Sequence, residues 1–344
     1  MPVNIVDYGA VGDGDPSRAA ANQAAIQAAF NASNDVYMPG GNYYTLGLTI
    51  THDNTKIRGE GDKCQLTYAN AGTGTLLDTG NHPVDFDSFK LFGDDLSDKR
   101  FLTAPANNRT GLKIVPHFNS RVRNMTIIGF GGFGVDEDGS YYNGAADSET
   151  RRLQFSDSFI SNCGYGFRIC NSGSGEYQAL NNLRLTRNAI AYCDRAGNVN
   201  ATGMIIMDNG VGVEIDGSAY SNNSHSNFSN SLINHSVYYS IKAKRCQVGY
   251  NFIGNQIHLG SINIENCVGI NIANGTIHVG ELRFKGGADS GRCYVRNNFM
   301  FTGDGGDPLV NTVIHNDGGV NDAFGVEDNW TRSGAFANSY GGAY

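Results

Sequence analysis

The chain has 344 residues, of which 46 are Gly and only 7 are Pro; charged residues make up 17 % and the formal net charge is −8. So little charge with so much glycine excludes a disordered chain and a helical bundle, and fits many short strands joined by frequent turns. The negative balance argues against nucleic acid as the main partner. No apolar run reaches the length that spans a bilayer, so no membrane insertion is expected.

The first predicted element is a short strand, Val3-Asn-Ile-Val6, which ends in the turn Asp7-Tyr-Gly-Ala-Val-Gly-Asp-Gly-Asp15. Asp15-Pro16-Ser17 then supplies a helix N-cap followed by Pro at the first helical position. The helix is expected from about Pro16 to Phe30, with Ala20, Ala24, Ile26, Ala28, Ala29 and Phe30 as a stripe of small apolar side chains. A second strand, Asp35-Val-Tyr-Met38, breaks at Pro39-Gly-Gly41 and restarts at Asn42-Tyr-Tyr44. Thr49-Ile50, Lys56-Ile-Arg58 and Gln65-Leu-Thr-Tyr68 read as further short strands, and the stretch from Gly93 to Arg109 as a polar loop.

From Val122 the sequence repeats itself. Val122 to Asp136, Phe155 to Ile169, Leu183 to Tyr192, Gly203 to Ile215, Ser229 to Lys242 and Ile262 to Ile272 each read as an alternating strand, a polar or Gly corner, and a second alternating strand. A unit of this kind recurring every ~20–35 residues marks a solenoid. Alternation sends Val211, Val213 and Ile215 inward and Glu214 and Asp216 outward. Asn124, Asn162, Asn188, Asn209 and Asn266 fall at corners, where Asn tolerates left-handed backbone and bonds its own main chain. An Asn ladder inside a corner is expected.

The opening stretch resembles the N-terminal cap of the pectate-lyase-like superfamily, whose pattern is roughly (D)-x-G-A-x-G-D-G, then A-I-Q-A-A, then V-x-x-P-x-G-x-Y. The resemblance extends over roughly residues 3–290. It implies an all-β fold: a single-stranded, right-handed parallel β-helix with an N-terminal α-helical cap. One domain over 1–344 is expected, with the cap in 1–45, the coils in 46–294 and a less regular tail in 295–344. Within the superfamily the chain is most similar in character to bacteriophage tailspikes and polysaccharide depolymerases. Such proteins are homotrimers of the virion tail or act outside the cell, and their partner is a bacterial surface polysaccharide (capsule, O-antigen or exopolysaccharide). Met1 leads almost directly into the first strand, so no secretory signal is expected. The closing stretch, Ser333 to Tyr344, reads as the end of a fragment.

Family motifs narrow the chemistry. The Asn-Thr-Asp and His-Gly signatures of the polygalacturonase branch are absent. Gly164-Tyr-Gly-Phe167 resembles a step of the uronan epimerases, but it continues into Arg168-Ile169-Cys170 where they carry Asp-Pro-His. The seven cysteines show no C-x-x-C pair, so no metal or other cofactor is expected.

Candidate chemistry comes from aligning the repeats on Gly134-Val135, Gly166-Phe167 and Gly212-Val213. That alignment stacks Asp136, Arg168 and Glu214 in one outward column and Asp138, Cys170 and Asp216 in the next. The Ala189–Asp194 strand is expected to add Tyr192 and Asp194, and Lys242 to follow in register with Asp216. A glycosidase needs a carboxylic acid to protonate the leaving oxygen and a carboxylate as base or nucleophile. The catalytic candidates are therefore Glu214, Asp216, Asp194 and Asp136. Arg168, Tyr165, Tyr192, Asp138 and Lys242 are candidates for holding substrate. Polysaccharide lyase activity, with Arg168, Lys242, Lys244 or Arg245 neutralising a uronate, and a non-catalytic glycan-binding spike remain the alternatives.

Overall fold

The computed structural model describes residues 2–69, 73–102, 104, 106–115, 120–137, 152–169, 175–195, 197–217, 226–246, 249–286, 292–300, 313–316, 324–331, 334–335 and 339–341. The described strands form three long sheets in which each strand pairs with the equivalent strand of the next coil. Nearly all pairing is parallel; the exceptions are Ser339–Gly341 on Phe324–Glu327 and Gly334–Ala335 on Trp330–Thr331. The chain visits the first, second and third sheets in turn, which makes the solenoid a parallel β-helix. No described helix is long and apolar enough to cross a membrane.

Alternation explains the core. One inward column of the second sheet runs Leu91, Ile127, Ile160, Leu185, Ile206, Ile233, Ile257, Ile277, each in register with the next. The first and third sheets add aromatics, and these meet inside. Phe155 packs edge-on against Phe167 at 5.1 Å, Tyr192 against Phe228 at 5.0 Å, and Phe228 stacks on Phe252 at 5.3 Å. Side chains of equivalent position lie ~4.8 Å apart, so apolar surface is buried continuously along the axis.

Corners follow from backbone chemistry. Between the first and second sheets, Ser88, Asn124, Asp157, Asn182 and Asn230 all adopt φ between 50° and 62°. Asn162 and Asn266 do the same at other corners. Asn188 and Asn209 act differently: both are buried, and Asn188 donates through Nδ2 to Asn209 Oδ1 at 3.1 Å. They form the expected internal ladder but carry no left-handed backbone.

The cap helix spans Ala19–Ala32, preceded by a 3-10 turn, Pro16–Arg18. Asp15 accepts from the Ser17 amide at 2.9 Å, as its N-cap role requires. The buried stripe is Ala19, Asn22, Ala25, Ile26, Ala29 and Phe30. Ala20, Ala24 and Ala28 face solvent instead, because a 3.6-residue period selects one face and not every small residue. Gln27 donates to the Thr49 carbonyl at 2.8 Å and accepts from its amide at 3.0 Å, so its carboxamide replaces a missing strand at the end of the third sheet.

Candidate functional site

The outer face of the third sheet carries the candidate chemistry. Its strands enter past a close corner. A Cβ on Gly134 would lie 2.7 Å from the Gly166 carbonyl oxygen, one on Gly166 2.5 Å from that of Ala191, and one on Gly212 2.7 Å from that of Ser240. Glycine is needed there because the next coil comes so near. The residues either side then split: Gly212 and Val213 both turn inward, while Val211 joins an outer apolar ladder, not the core to which alternation alone assigned it. That ladder is Phe133, Tyr165, Ile190, Val211 and Tyr239, one per coil. Phe133 and Tyr165 stack at 5.3 Å.

Beside it runs the charged column. Asp136 pairs with Arg168, Arg168 with Cys193, Cys193 with Glu214, and Glu214 with Lys242. Asp136, Arg168 and Glu214 thus share the column expected from the glycine alignment. Lys242 does not pair with Asp216; it faces Glu214, and Lys244 faces Asp216. Ser240 takes the place of glycine in this coil, and Lys242 stands two residues after it as Glu214 stands two after Gly212.

Asp194 and Tyr192 are a larger departure. Both are fully buried, and they point into the coil. Tyr192 aligns with Phe167 and Val213, and Asp194 with Ile169 and Ile215, all core residues. Asp194 accepts from Ser226 Oγ at 3.2 Å and Tyr192 OH at 3.4 Å. This coil carries Ala191-Tyr192 in place of the Gly-apolar step, and a one-residue slip moves every side chain to the other face. The outward residues are Cys193 and Arg195, which the sequence reading missed for that reason. Asp138 and Cys170 lie outside the described residues.

Ion pairs organise the face. Arg168 donates to both Asp136 oxygens, at 2.8 and 2.7 Å, and its guanidinium lies 3.8 Å from the Phe133 ring centre. Lys242 Nζ donates to Glu214 Oε1 at 2.6 Å. Burial pulls the Lys242 ammonium pKa down, but the bond to Glu214 and the charges of Glu214, Tyr239 and Asp216 together outweigh it and leave it raised. Burial first, and then the charges of Cys193 and Glu214, push the Tyr165 phenol up to about 12. Arg195 reaches the same spot: burial lowers its pKa, while Cys193, Tyr165 and Asp216 outweigh that and raise it. Glu214, Asp216, Lys242, Arg195 and Tyr165 therefore converge. Asp136 stands three coils from Glu214, ~14 Å at ~4.8 Å per coil. That is too far for the two to act on one bond. Among the described residues, no group of three His, Cys, Asp or Glu is placed to hold a metal ion.

The stretch read as a polar loop forms one wall. Asn162 Nδ2 donates to the carbonyls of Leu96 and Ser97 at 2.9 and 3.3 Å, and Tyr238 OH donates to that of Phe101 at 3.3 Å. The segment is thus a strap laid along the corner between the second and third sheets. Lys99, 2 % exposed, holds it by donating to Asp95 at 2.6 Å and to Ser97. Leu96 and Phe101 stay more than half exposed.

The family model described as rhamnogalacturonase A/epimerase, pectate lyase-like matches residues 2–251. No curated relative matches the chain by sequence. Among solved structures, PfbA, a surface adhesin of Streptococcus pneumoniae, superposes with a TM-score of 0.61 at 13% identity, over 96% of this chain and 91% of that one. The mannuronan C-5 epimerase A-module of Azotobacter vinelandii gives 0.53 at 14%, over 94% and 99%. Full-length tailspike protein 2 of an Escherichia coli O157:H7 bacteriophage gives 0.51 at 13%, over 95% of this chain but 42% of its own length. The chain thus spans less than half of that tailspike. At these identities the likeness is one of fold, and an adhesin, an epimerase and a tailspike share it.

Proposed function

As the chain belongs to the rhamnogalacturonase A/epimerase, pectate lyase-like family, we propose that it acts on a polysaccharide along the outer face of its third sheet, by endo-hydrolysis of a bacterial surface glycan. The observation that carries this reading is the convergence of Glu214 and Asp216 with Lys242, Arg195 and Tyr165. Two residues apart on one strand, the two acids have backbone positions ~6.6 Å apart. In glycoside hydrolysis one carboxylate attacks the sugar carbon or activates a water, and a second carboxyl group protonates the leaving oxygen. Lys242 orients Glu214 as an acceptor, which suits the base that activates that water. Asp216 is then the acid that protonates the leaving oxygen. Phe133, Tyr165 and Tyr239 offer ring faces for sugars, and Arg168 and Arg195 offer donors to hydroxyls or carboxylates.

On this reading the partner is a capsule, O-antigen or exopolysaccharide, and the protein works in a viral tail or outside the cell, as three helices side by side. A lyase reading draws on the same site: Arg195 and Lys242 would neutralise a uronate carboxylate. The test is incubation with purified capsules and O-antigens, scored by new reducing ends and by ultraviolet absorbance of an unsaturated product. Hydrolysis yields reducing ends without absorbance, and Glu214→Gln or Asp216→Asn should each lower the rate about 10²–10⁴-fold. Absorbance would establish the lyase instead. Undiminished cleavage by both variants would remove these acids from the mechanism.

A further inference from the structure

A second groove runs along a different edge of the solenoid, the corner between the first and second sheets. It comprises two adjoining cavities of about 500 and 430 Å³. The floor is one outward column of the second sheet: Thr126, Phe159, Arg184, Ile205, Leu232 and Gln256, each in register with the next. The rim is the corner itself, with Asn124, Asp157, Asn182 and Asn230 all exposed. These four share φ between 50° and 59°, so their side chains leave the corner in the same geometry, while the coil between Asn182 and Asn230 has Gly203 there and adds no side chain. Asp62 closes one end, where it accepts from Thr126 at 3.4 Å.

We infer that this groove is a second, non-catalytic binding site for an extended, neutral glycan. Three features carry the inference. The coil repeat of ~4.8 Å is about the length of one sugar residue in an extended chain, so the floor column recurs once per sugar. The middle of the floor offers apolar surface: the Arg184 guanidinium lies over the Phe159 ring at 5.7 Å, and Ile205 follows, 40 % exposed, then Leu232. The apolar face of a pyranose rests on such a surface while its hydroxyls meet the carboxamides and carboxylate of the rim. The rim is also ordered in advance: Asn182 donates to Asp157 at 3.0 Å and Asn124 to Asp87 at 2.9 Å, which cuts the entropy lost on binding.

Charge selects the ligand. Arg184 is the one cation among the lining residues, against Asp62 and Asp157. A polyanion would meet carboxylates here, whereas the third-sheet face offers Arg168, Arg195, Lys242 and Lys244. A permanent subunit interface would instead be apolar at its centre, and this groove is edged by the polar Asn124, Asp157, Asn182 and Asn230. A glycan held here would keep the protein on an insoluble polymer while the other face works. The binding does not depend on the third-sheet face being catalytic.

The test uses the full chain carrying Glu214→Gln, so that cleavage cannot consume the probe. Cellohexaose, mannohexaose and maltohexaose are titrated calorimetrically, with a hexagalacturonate as the acidic control. At least one neutral hexasaccharide should bind, hexagalacturonate should not bind at the groove, and Ile205→Asp should weaken the neutral binding tenfold or more. Arg184→Ala, an exposed change, should weaken it by a smaller factor and confirms that the fold is intact. Three outcomes overturn the inference. In one, no neutral hexasaccharide binds at millimolar concentration. In another, Ile205→Asp leaves binding unchanged. In the third, sedimentation shows an oligomer that Ile205→Asp dissociates, which makes the groove a contact between copies of the chain.

Discussion

At the scale of single residues, the difference between the two faces of a strand decides what each side chain does. Phe167 and Arg168 are neighbours in sequence, yet one packs against Phe155 inside the coil and the other holds Asp136 outside. Phe167→Ala should cost about 3–5 kcal/mol, read as a fall in the urea midpoint, because the aromatic column cannot close over the cavity. His258 provides a pH test. It stands 6.0 Å from the His278 ring, and burial first, then the nearby His278 and His235, lower its pKa below 6.5. The unfolded chain therefore holds more protons between 6.5 and the folded value. Stability falls as pH drops through that window and is unaffected by this group above it. His258→Gln should flatten the acid side of the stability curve; an unchanged slope would show that other groups cause it.

At the scale of elements, the strap from 94 to 102 is the piece whose role no local pattern announced. Its composition is that of a loop, but Lys99 is buried against Asp95 and its main chain spans from Asn162 to Tyr238. Lys99→Met removes the ammonium that Asp95 and Ser97 share. The strap should then exchange amide hydrogens at least tenfold faster while the inner strands keep their protection. If the strands lost protection equally, the strap would belong to the core and not form a wall of the site. The cap helix is the converse case. Its N-cap was legible from Asp15-Pro16-Ser17, but which of its many alanines are buried was not, since only the coil beneath the helix selects a face.

For the whole molecule, stacked repeats make stability a sum of neighbouring contacts, and an uncovered end exposes the core. Ile26 and Phe30 are the largest apolar side chains that the helix buries. Ile26→Ala should cost about 2–5 kcal/mol and should appear as association through the opened end. Light scattering at the transition checks this; a monomeric, reversible transition would count against the capping role.

The sequence by itself determined the architecture. Alternation, the recurring corners and the opening cap each point to one stacked β solenoid, and these are local signals that the chain carries whatever lies beside it. It also determined that Asp136, Arg168 and Glu214 share a column, since the aligned glycines are forced by the approach of the next coil. Only the tertiary structure decided the rest. Where Ala191 stands in place of glycine, nothing local fixes the register, so Asp194 and Tyr192 went to the core and Cys193 and Arg195 to the site. Register belongs to pairs of coils, and it is settled by which side chains fill the interior of both.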